Sequence, residues 1–161
     1  MILFTKGIVK NMAETKKEIY ERILYFVKNS QNSKRVTIYS ELVNLLYNSF
    51  PDMDWVGFYE KDEEKDELYL SIYVGSEACE IIPISKGVCG KCFTEGKTQL
   101  VEDVHLLPYH IACSSSTNSE IVVPVFKNKN CVAVLDIDSD KKSAFDDIDQ
   151  KYLEEIVGYL I

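Results

Sequence analysis

Two apolar segments joined by a short polar stretch constrain the fold more than any other feature of this sequence. Ile121–Phe126 and Cys131–Asp138 consist mainly of β-branched and other apolar residues, and the connection Lys127–Asn130 is polar. Two such segments so close together predict an antiparallel β-hairpin. The chain is therefore expected to contain an antiparallel sheet against which its other segments pack.

The acidic residues of this hairpin are its least expected members. Asp136 and Asp138 end the second strand, although aspartate is depleted in strands. Alternation puts both on one face, roughly 6–7 Å apart, and Glu120 begins the neighbouring strand. Carboxylates that close disfavour each other's ionisation, so one of them is expected to hold a proton near neutral pH. The alternative is a strand that ends in the acidic turn Ser139–Lys142.

The remaining periodic segments predict helices and short strands. Thr15-x-x-Glu18 is a capping-box sequence that begins an amphipathic helix reaching about Lys28. The segment Leu68–Val74 is predicted to be a strand in which alternation places Leu68, Leu70, Ile72 and Val74 on one side. The other predicted elements are a helix from about Thr37 to Phe50, strands at Trp55–Tyr59, Ile81–Ile84 and Gln99–Val101, a short helix from Gly87 to Gly96 and a terminal helix from Asp146. Together they predict an α+β fold in which about six mostly antiparallel strands are packed with N- and C-terminal helices.

Length and charge limit the kinds of protein this chain can be. Its 161 residues suffice for one domain with a single core. A formal net charge of −8 argues against nucleic-acid binding, because a surface that binds DNA or RNA has to be basic. No apolar run is long enough to span a membrane, and the start of the chain contains only the short apolar segment Gly7–Val9, so no signal peptide is predicted. A cytosolic protein without membrane contact is therefore expected.

Five cysteines in a cytosolic chain argue for redox, metal-binding or nucleophilic roles rather than a disulfide framework. Cys89 and Cys92, followed by His105 and His110, match the spacing of a zinc finger. Pro108 would interrupt the helix that both histidines must share, so we predict neither a metal nor a cofactor. The alternative is a thioredoxin-like redox pair of Cys89 and Cys92, although the βαβ context for it is missing.

The long polar loop Tyr109–Ile121 is the first candidate for a functional site. Cys113 lies near its start, and Ser114, Ser115 and Ser116 favour turns that leave backbone N–H groups free to bind a ligand. The alternative is a surface loop with an inert thiol.

An aromatic face complements this loop and the three carboxyl groups. Trp55 and Tyr59 share one face of their strand by the period of two. Aromatic rings, acids and a thiol together describe a pocket for a small cationic ligand with an apolar part. Cys131, by contrast, opens an apolar strand and is expected only to pack.

Five short motifs follow one another along the chain. They are Gly-Val-Cys-Gly (87–90), Val-Glu-Asp-Val-His (101–105), His-Ile-Ala-Cys (110–113), Asn-Ser-Glu-Ile-Val (118–122) and Val-Leu-Asp-Ile-Asp-Ser (134–139). In this order they resemble the motifs of free methionine-(R)-sulfoxide reductases, a family of single GAF domains. The resemblance therefore implies one GAF domain over residues 1–161, with residues 1–36 as an N-terminal extension and helix and 37–161 as the motif-bearing core.

The cysteines carry much of this resemblance. Cys79, Cys89 and Cys113 match the family's cysteines, whereas Cys92 and Ser114 depart from its pattern.

The resemblance implies thiol-dependent reduction of free L-methionine-(R)-sulfoxide to methionine. Cys113 is expected to attack the sulfoxide sulfur, while Glu120 and Asp138 provide the acid that the sulfoxide oxygen needs. Cys113 then becomes a sulfenic acid, which a second thiol converts to a disulfide. A thioredoxin-like dithiol is expected to reduce that disulfide, and a homodimer is implied by the resemblance alone.

Recognition of the free amino acid follows from the same residues. Asp136 suits the α-ammonium group, and the backbone N–H groups of Ser114–Thr117 suit the α-carboxylate. The methyl group is expected to rest against Trp55, with Tyr59 nearby. A peptide-bound methionine sulfoxide has no ammonium group to offer.

Three cysteines compete for the role of the second thiol. Cys89 and Cys92 lie about one turn apart on a short helix, so only one of them is expected to face the pocket. Cys79 lies in an irregular connection, where mobility favours exchange and close approach of two Cα atoms. We predict Cys79–Cys113 as the main disulfide, with Cys89 as a slower substitute.

The alternative function is a GAF sensory module that binds a small metabolite or senses oxidants without turnover. We expect no output domain before Met1 or after Ile161, which argues against a sensor.

Overall fold

A six-stranded antiparallel sheet forms the middle layer of the protein, with the strand order β3-β2-β1-β6-β5-β4. The structure, a computed structural model, describes residues 14–111 and 113–160. The apolar segment Gly7–Val9 lies outside the described residues. The strands are β1 Trp55–Lys61, β2 Glu67–Val74, β3 Ile81–Pro83, β4 Gln99–Val101, β5 Ser119–Lys127 and β6 Asn130–Ser139. The helices are α1 Lys16–Asn29, α2 Arg35–Ser49, α3 Gly87–Glu95 and α4 Asp147–Val157, with a 3₁₀ turn at Val104–Leu106.

The two faces of the sheet pack against different helices. On one face, α1, α2 and α4 cover alternate residues of the central strands, including Phe58, Val123 and Leu135. On the other face, α3 and the connections around it cover a smaller apolar cluster that includes Val122 and Val134. The period of two therefore divides each central strand between two cores.

The predicted hairpin is confirmed and lies within the sheet. Strands β5 and β6 pair from Ser119↔Ser139 to Lys127↔Asn130. Asn128 and Lys129 between them have φ values of 50° and 69°. Positive φ at both central residues is the geometry of a type I′ turn, whose twist matches that of the flanking strands.

The capping box predicted for the first helix is present, and the last helix, predicted to begin at Asp146, has one as well. The Thr15 side chain accepts a hydrogen bond from Glu18 N, and Asp146 does the same for Ile148 N and Asp149 N. The Asp149 carboxylate also accepts a hydrogen bond of 2.7 Å from the buried Tyr20 hydroxyl of α1. The first and last helices are thereby joined across the helical layer.

Two sequence predictions about the elements are wrong. Helix α2 begins at Arg35, two residues before the predicted start. The apolar residues of β2 do not share one side, because the β1–β2 register shifts between Phe58 and Tyr59. That β-bulge leaves Leu68 and Leu70 on the α3 face and places Ile72 and Val74 on the face of the larger core.

No helix in residues 14–111 and 113–160 is both long and apolar enough to cross a lipid bilayer.

Candidate functional site

A small internal cavity lies between the sheet and α3, next to the loop that follows Tyr109. Its volume is about 30 Å³. It is lined by eight of the residues predicted for the site, namely Trp55, Tyr59, Cys89, Cys113, Ser114, Glu120, Asp136 and Asp138. Glu77, Ala78, Ile82, Gly87, Val88, His110, Ile111 and Thr117 complete the lining.

Strand register brings the three carboxyl groups together. Glu120 of β5 is the direct partner of Asp138 in β6, and Asp138 is also the partner of Trp55 in β1. Asp136 follows two residues before Asp138 and therefore points to the same face. Glu120 and Asp136 are only 5% and 6% exposed. The three acids are thus held by neighbouring strands against the cavity rather than in a frayed strand end.

Burial changes the acidity of this cluster. It raises the pKa of Glu120 and of Asp138 well above their ordinary values, and the charge of Asp136 raises both further. Burial also raises the pKa of Asp136 to about 6, although hydrogen bonding by Cys89 and Glu120 opposes the rise. Because a buried carboxylate beside a second one is disfavoured, Glu120 and Asp138 keep their protons to a higher pH than exposed carboxyl groups do.

The cluster is short of positive charge. None of the ion pairs within residues 14–111 and 113–160 involves Asp136 or Asp138, and Glu120 has only His110, whose Nε2 is 3.9 Å from its Oε2. Burial lowers the pKa of His110, so the imidazole is neutral near pH 7. The buried Oδ1 of Asp136 has no hydrogen-bond partner. An unpaired buried acceptor costs free energy, so the cavity favours a cationic or hydrogen-bond-donating guest.

Two glycines allow the Trp55 ring to form one wall of the cavity. A Cβ on Gly57 would lie 2.3 Å from Trp55 Cη2, and one on Gly75 would lie 2.5 Å from Trp55 Cδ1. Any larger residue at either position would displace the ring. Tyr59 stacks next to it with a centroid distance of 6.1 Å, so the wall is aromatic, as predicted.

A disulfide between Cys79 and Cys113 lies on the loop side of the cavity, where Cys113 forms part of the lining. Their Cα atoms are 5.1 Å apart, within the normal range for a disulfide. This is the pairing predicted from the sequence. The Tyr59 hydroxyl donates a hydrogen bond of 2.9 Å to the Cys79 carbonyl oxygen and so ties the Cys79 segment to the sheet.

Comparisons with known proteins agree with this geometry. The sequence profile of the GAF domain matches residues 36–160. The chain belongs to the GAF domain family. It is 38% identical to the Bacillus subtilis protein YtsP over 94% of both chains. It is 40% identical to the free methionine-R-sulfoxide reductase of Escherichia coli, over 72% of this chain and 69% of that one.

The same name recurs among solved structures. The free methionine-R-sulfoxide reductase of Neisseria meningitidis, solved in complex with its substrate, superposes with a TM-score of 0.86. It shares 38% sequence identity, and the match covers 92% of this chain and 90% of that one. The GAF domain described above is therefore similar along nearly its whole length to a substrate-bound reductase.

The remaining cysteines of this GAF domain differ in their access to the cavity. Cys89 lines it, whereas the Cys92 thiol is buried behind it and donates to the Val122 carbonyl oxygen at 3.4 Å. Burial raises the pKa of both thiols. Cys131 lies half-buried on β6 and donates to the Ala133 carbonyl oxygen. Only one of the two cysteines on α3 faces the cavity, as the helical spacing predicts.

The zinc-finger spacing does not bring its four residues together. His105 lies on the surface, where its Nε2 is 3.0 Å from Asn118 Oδ1. Within the described residues, the one group whose atoms are close enough for a metal is Cys89, Glu120 and Asp136.

Only one of the three serines of the polar loop lines the cavity. Ser114 lines the cavity, and its Oγ accepts a hydrogen bond from Ser116 N at 3.3 Å. Ser115 and Ser116 are exposed and lie outside the lining. The binding of a carboxylate by the backbone N–H groups of Ser114, Ser115 and Ser116 stays a prediction.

The side chains of two polar residues of the cavity were not identified from the sequence as members of the site. Thr117, considered only for its backbone N–H group, is 6% exposed, and its side chain hydrogen-bonds Asp138, which opposes the rise in the pKa of that carboxyl. His110 was considered only within the zinc-finger spacing and as the first residue of the motif His-Ile-Ala-Cys (110–113). The sequence contains a weak indication that both residues belong to the site, because His110 precedes Cys113 and Thr117 follows the serines.

Proposed function

We infer that this GAF domain is a free methionine-(R)-sulfoxide reductase, which reduces free L-methionine-(R)-sulfoxide to L-methionine at the expense of a thiol reductant. The observation that carries this inference is the Cys79–Cys113 disulfide beside a cavity whose buried acids lack a cationic partner. That combination provides a redox-active sulfur and a place for an ammonium group, and relatives with the same fold bear the name of this reductase.

The first chemical step needs a thiolate and an acid. In the reduced protein, the Cys113 thiolate attacks the sulfoxide sulfur, and Glu120 or Asp138 protonates the sulfoxide oxygen. The attack forms a transient bond between the Cys113 sulfur and the substrate sulfur. The protonated oxygen then transfers from the substrate sulfur to the Cys113 sulfur, the sulfur–sulfur bond breaks with its electron pair going to the substrate sulfur, and methionine departs, leaving Cys113 as a sulfenic acid. Glu120 and Asp138 suit this role because burial raises their pKa values and so favours the protonated form that can donate a proton.

The second step regenerates the enzyme. The Cys79 thiol attacks the sulfenic sulfur of Cys113, a disulfide forms and water leaves. An external dithiol of the thioredoxin type then reduces the disulfide by thiol–disulfide exchange, and its own sulfurs become oxidised. We propose that Cys89 acts as the slower substitute for Cys79, since it lines the same cavity.

The cytoplasmic location predicted from the sequence is part of the same proposal. A free thiol at Cys113 has to be restored after each turnover, which suits the reducing cytoplasm. A homodimer is proposed on the resemblance to the family alone.

Free amino acid and blocked amino acid are expected to differ sharply as substrates. Asp136 lacks a partner for its Oδ1, so it is proposed to pair with the substrate ammonium. Wild-type protein with dithiothreitol should release methionine from free methionine-(R)-sulfoxide and leave N-acetyl-methionine sulfoxide unchanged. Asp136→Asn should weaken binding of the free sulfoxide by about 1.5–3 kcal/mol, the range for a hydrogen bond to a charged group.

Methionine release is measured by chromatography, and binding by calorimetry in a Cys113→Ser background, where no reaction consumes the ligand. Asp147→Asn on the exposed start of α4 is the matched control and should bind as the parent does. Equal rates on the free and acetylated sulfoxides would show that the ammonium group is not recognised. Binding without any methionine release by the wild type would favour the sensory module instead.

Replacement of Cys79 should separate the two chemical steps. Cys79→Ser retains Cys113, so one methionine per chain should still form. Steady-state turnover with thioredoxin should fall by at least about tenfold, because the sulfenic acid has to find a slower thiol. Cys131→Ser, at a half-buried thiol outside the cavity, should cycle normally. Peptide mapping after one equivalent of substrate should show Cys79–Cys113, and a dominant Cys89–Cys92 or Cys92–Cys113 link would contradict the assignment.

A further inference from the structure

We propose that the disulfide form of this protein binds one zinc ion through Cys89, Glu120 and Asp136. The thiol sulfur of Cys89 and one carboxylate oxygen from each acid lie within 4.8 Å of one another. None of these residues is part of the Cys79–Cys113 disulfide, so all three remain available as ligands when the protein is oxidised.

The donor set is the one that zinc accepts in proteins. Zinc binds thiolate at about 2.3 Å and carboxylate oxygen at about 2.0–2.2 Å in tetrahedral geometry, which sets its ligand atoms roughly 3.5 Å apart. Side-chain movements of about 1 Å would bring the three atoms to that spacing. A thiolate ligand disfavours magnesium and calcium, which prefer oxygen alone.

Independent evidence for a guest comes from Asp136. Its carboxyl group is 6% exposed, yet its Oδ1 has no hydrogen-bond partner. A buried carboxylate oxygen that has no hydrogen-bond partner is stabilised by a cation. In the described part of the chain, no lysine or arginine forms an ion pair with Asp136 or with Glu120. A divalent ion would satisfy both acids at once.

The size of the cavity selects an ion over an organic ligand in this state. With Cys79 and Cys113 joined, the cavity measures about 30 Å³. That is room for an ion or a water molecule and far below the roughly 300 Å³ at which small-molecule pockets begin. The fourth position of the metal is left to water or to His110, whose Nε2 is 3.9 Å from Glu120 Oε2.

Zinc would enter by displacing protons. Cys89 gives up its thiol proton, each carboxyl group that binds the ion gives up any proton it holds, and no sulfur changes its oxidation state. The ion is not part of the proposed reaction. A consequence that rests on the proposed function is that zinc occupies the place of the substrate ammonium and inhibits the reductase.

The test uses full-length protein with its disulfide formed and no reductant present, so that Cys79 and Cys113 cannot bind metal. Cadmium serves as the spectroscopic probe, because a cadmium–thiolate bond has an ultraviolet charge-transfer band, and zinc binding is measured by calorimetry. One ion per chain is expected, with the band present. Cys89→Ala should abolish the band and lower the zinc affinity on the order of 100-fold.

Matched variants distinguish this site from adventitious binding to thiols. Cys131→Ser should keep the band, since that thiol lies outside the cavity. Asp136→Asn retains Cys89 and should lower the affinity at least about tenfold, which keeps the test decisive if Cys89→Ala does not fold. A band that survives in Cys89→Ala or disappears in Cys131→Ser would overturn the site, as would the absence of any band in the wild type.

Turnover by reduced, chelator-treated protein tests the proposed function separately. If that protein reduces the sulfoxide but the oxidised form binds no metal, the zinc site fails and the reductase stands. If the oxidised form binds metal but the reduced protein does not turn over the sulfoxide, the zinc site stands and the proposed reductase function fails. If the protein shows both metal binding and turnover, added zinc should raise the KM for the sulfoxide, and a chelator should return the KM to its original value.

Discussion

Cys113→Ser should form no methionine, even in a single turnover with excess enzyme. The serine hydroxyl cannot ionise near neutral pH or form a sulfenic acid, so the first step loses its nucleophile. Removal of a nucleophile commonly lowers kcat by a factor on the order of 10⁴ or more. No resolving thiol takes part in a single turnover, so loss of methionine there assigns the defect to the first step.

The measurement is rapid-quench chromatography of methionine per chain. Cys131→Ser provides the matched control, since it removes a thiol that does not line the cavity. Thermal unfolding of both variants under reducing conditions shows whether the fold is retained. One methionine per chain from folded Cys113→Ser would remove Cys113 from the role of nucleophile.

Glu120→Gln should lower kcat by roughly 10²- to 10⁴-fold, the usual contribution of a general acid. Glutamine keeps the shape of the side chain but has no carboxyl proton to transfer to the sulfoxide oxygen. Asp138→Asn is the matched comparison, because Asp138 is the strand partner of Glu120 and its pKa is also raised. The two variants therefore show which carboxyl group protonates the substrate.

The pH profile gives a second readout of the same group. The pKa of Glu120 is raised by burial, so its acid form persists to a higher pH than that of an ordinary carboxyl group and is lost as the pH rises through that raised value. Wild-type kcat should fall along that alkaline limb, and the limb should be missing in whichever variant has lost the acid. A full-rate Glu120→Gln with an unchanged pH profile, beside an inactive Asp138→Asn, would transfer the role to Asp138.

Local sequence signals were sufficient for the elements and for part of the site. The capping box at Thr15 and the polar connection Lys127–Asn130 act within a few residues, so they can be recognised without tertiary structure. The period of two likewise placed Asp136 and Asp138 on one face, because alternation is a property of the strand itself.

Other features depended on contacts between distant segments. The β-bulge that divides the apolar residues of β2 arises from its pairing with β1, and nothing within Leu68–Val74 marks it. Trp55 forms a wall only because Gly57 and Gly75 leave room for the ring, and Gly75 lies on another segment. The pKa values of the three acids are raised mainly because the folded protein buries them.

The sequence by itself determined the α+β class, the hairpin, the capped start of α1 and the chemical kinds of residue available, since each depends on local backbone preference or on composition. Only the tertiary structure decided which of them meet. It brought Cys79 to Cys113 across 34 positions of sequence. It also brought His110 and Thr117 to the acids and left Cys92 behind the cavity. The physical reason is that strand register and helix packing fix distances between residues far apart in the chain, and local patterns carry no information about those distances.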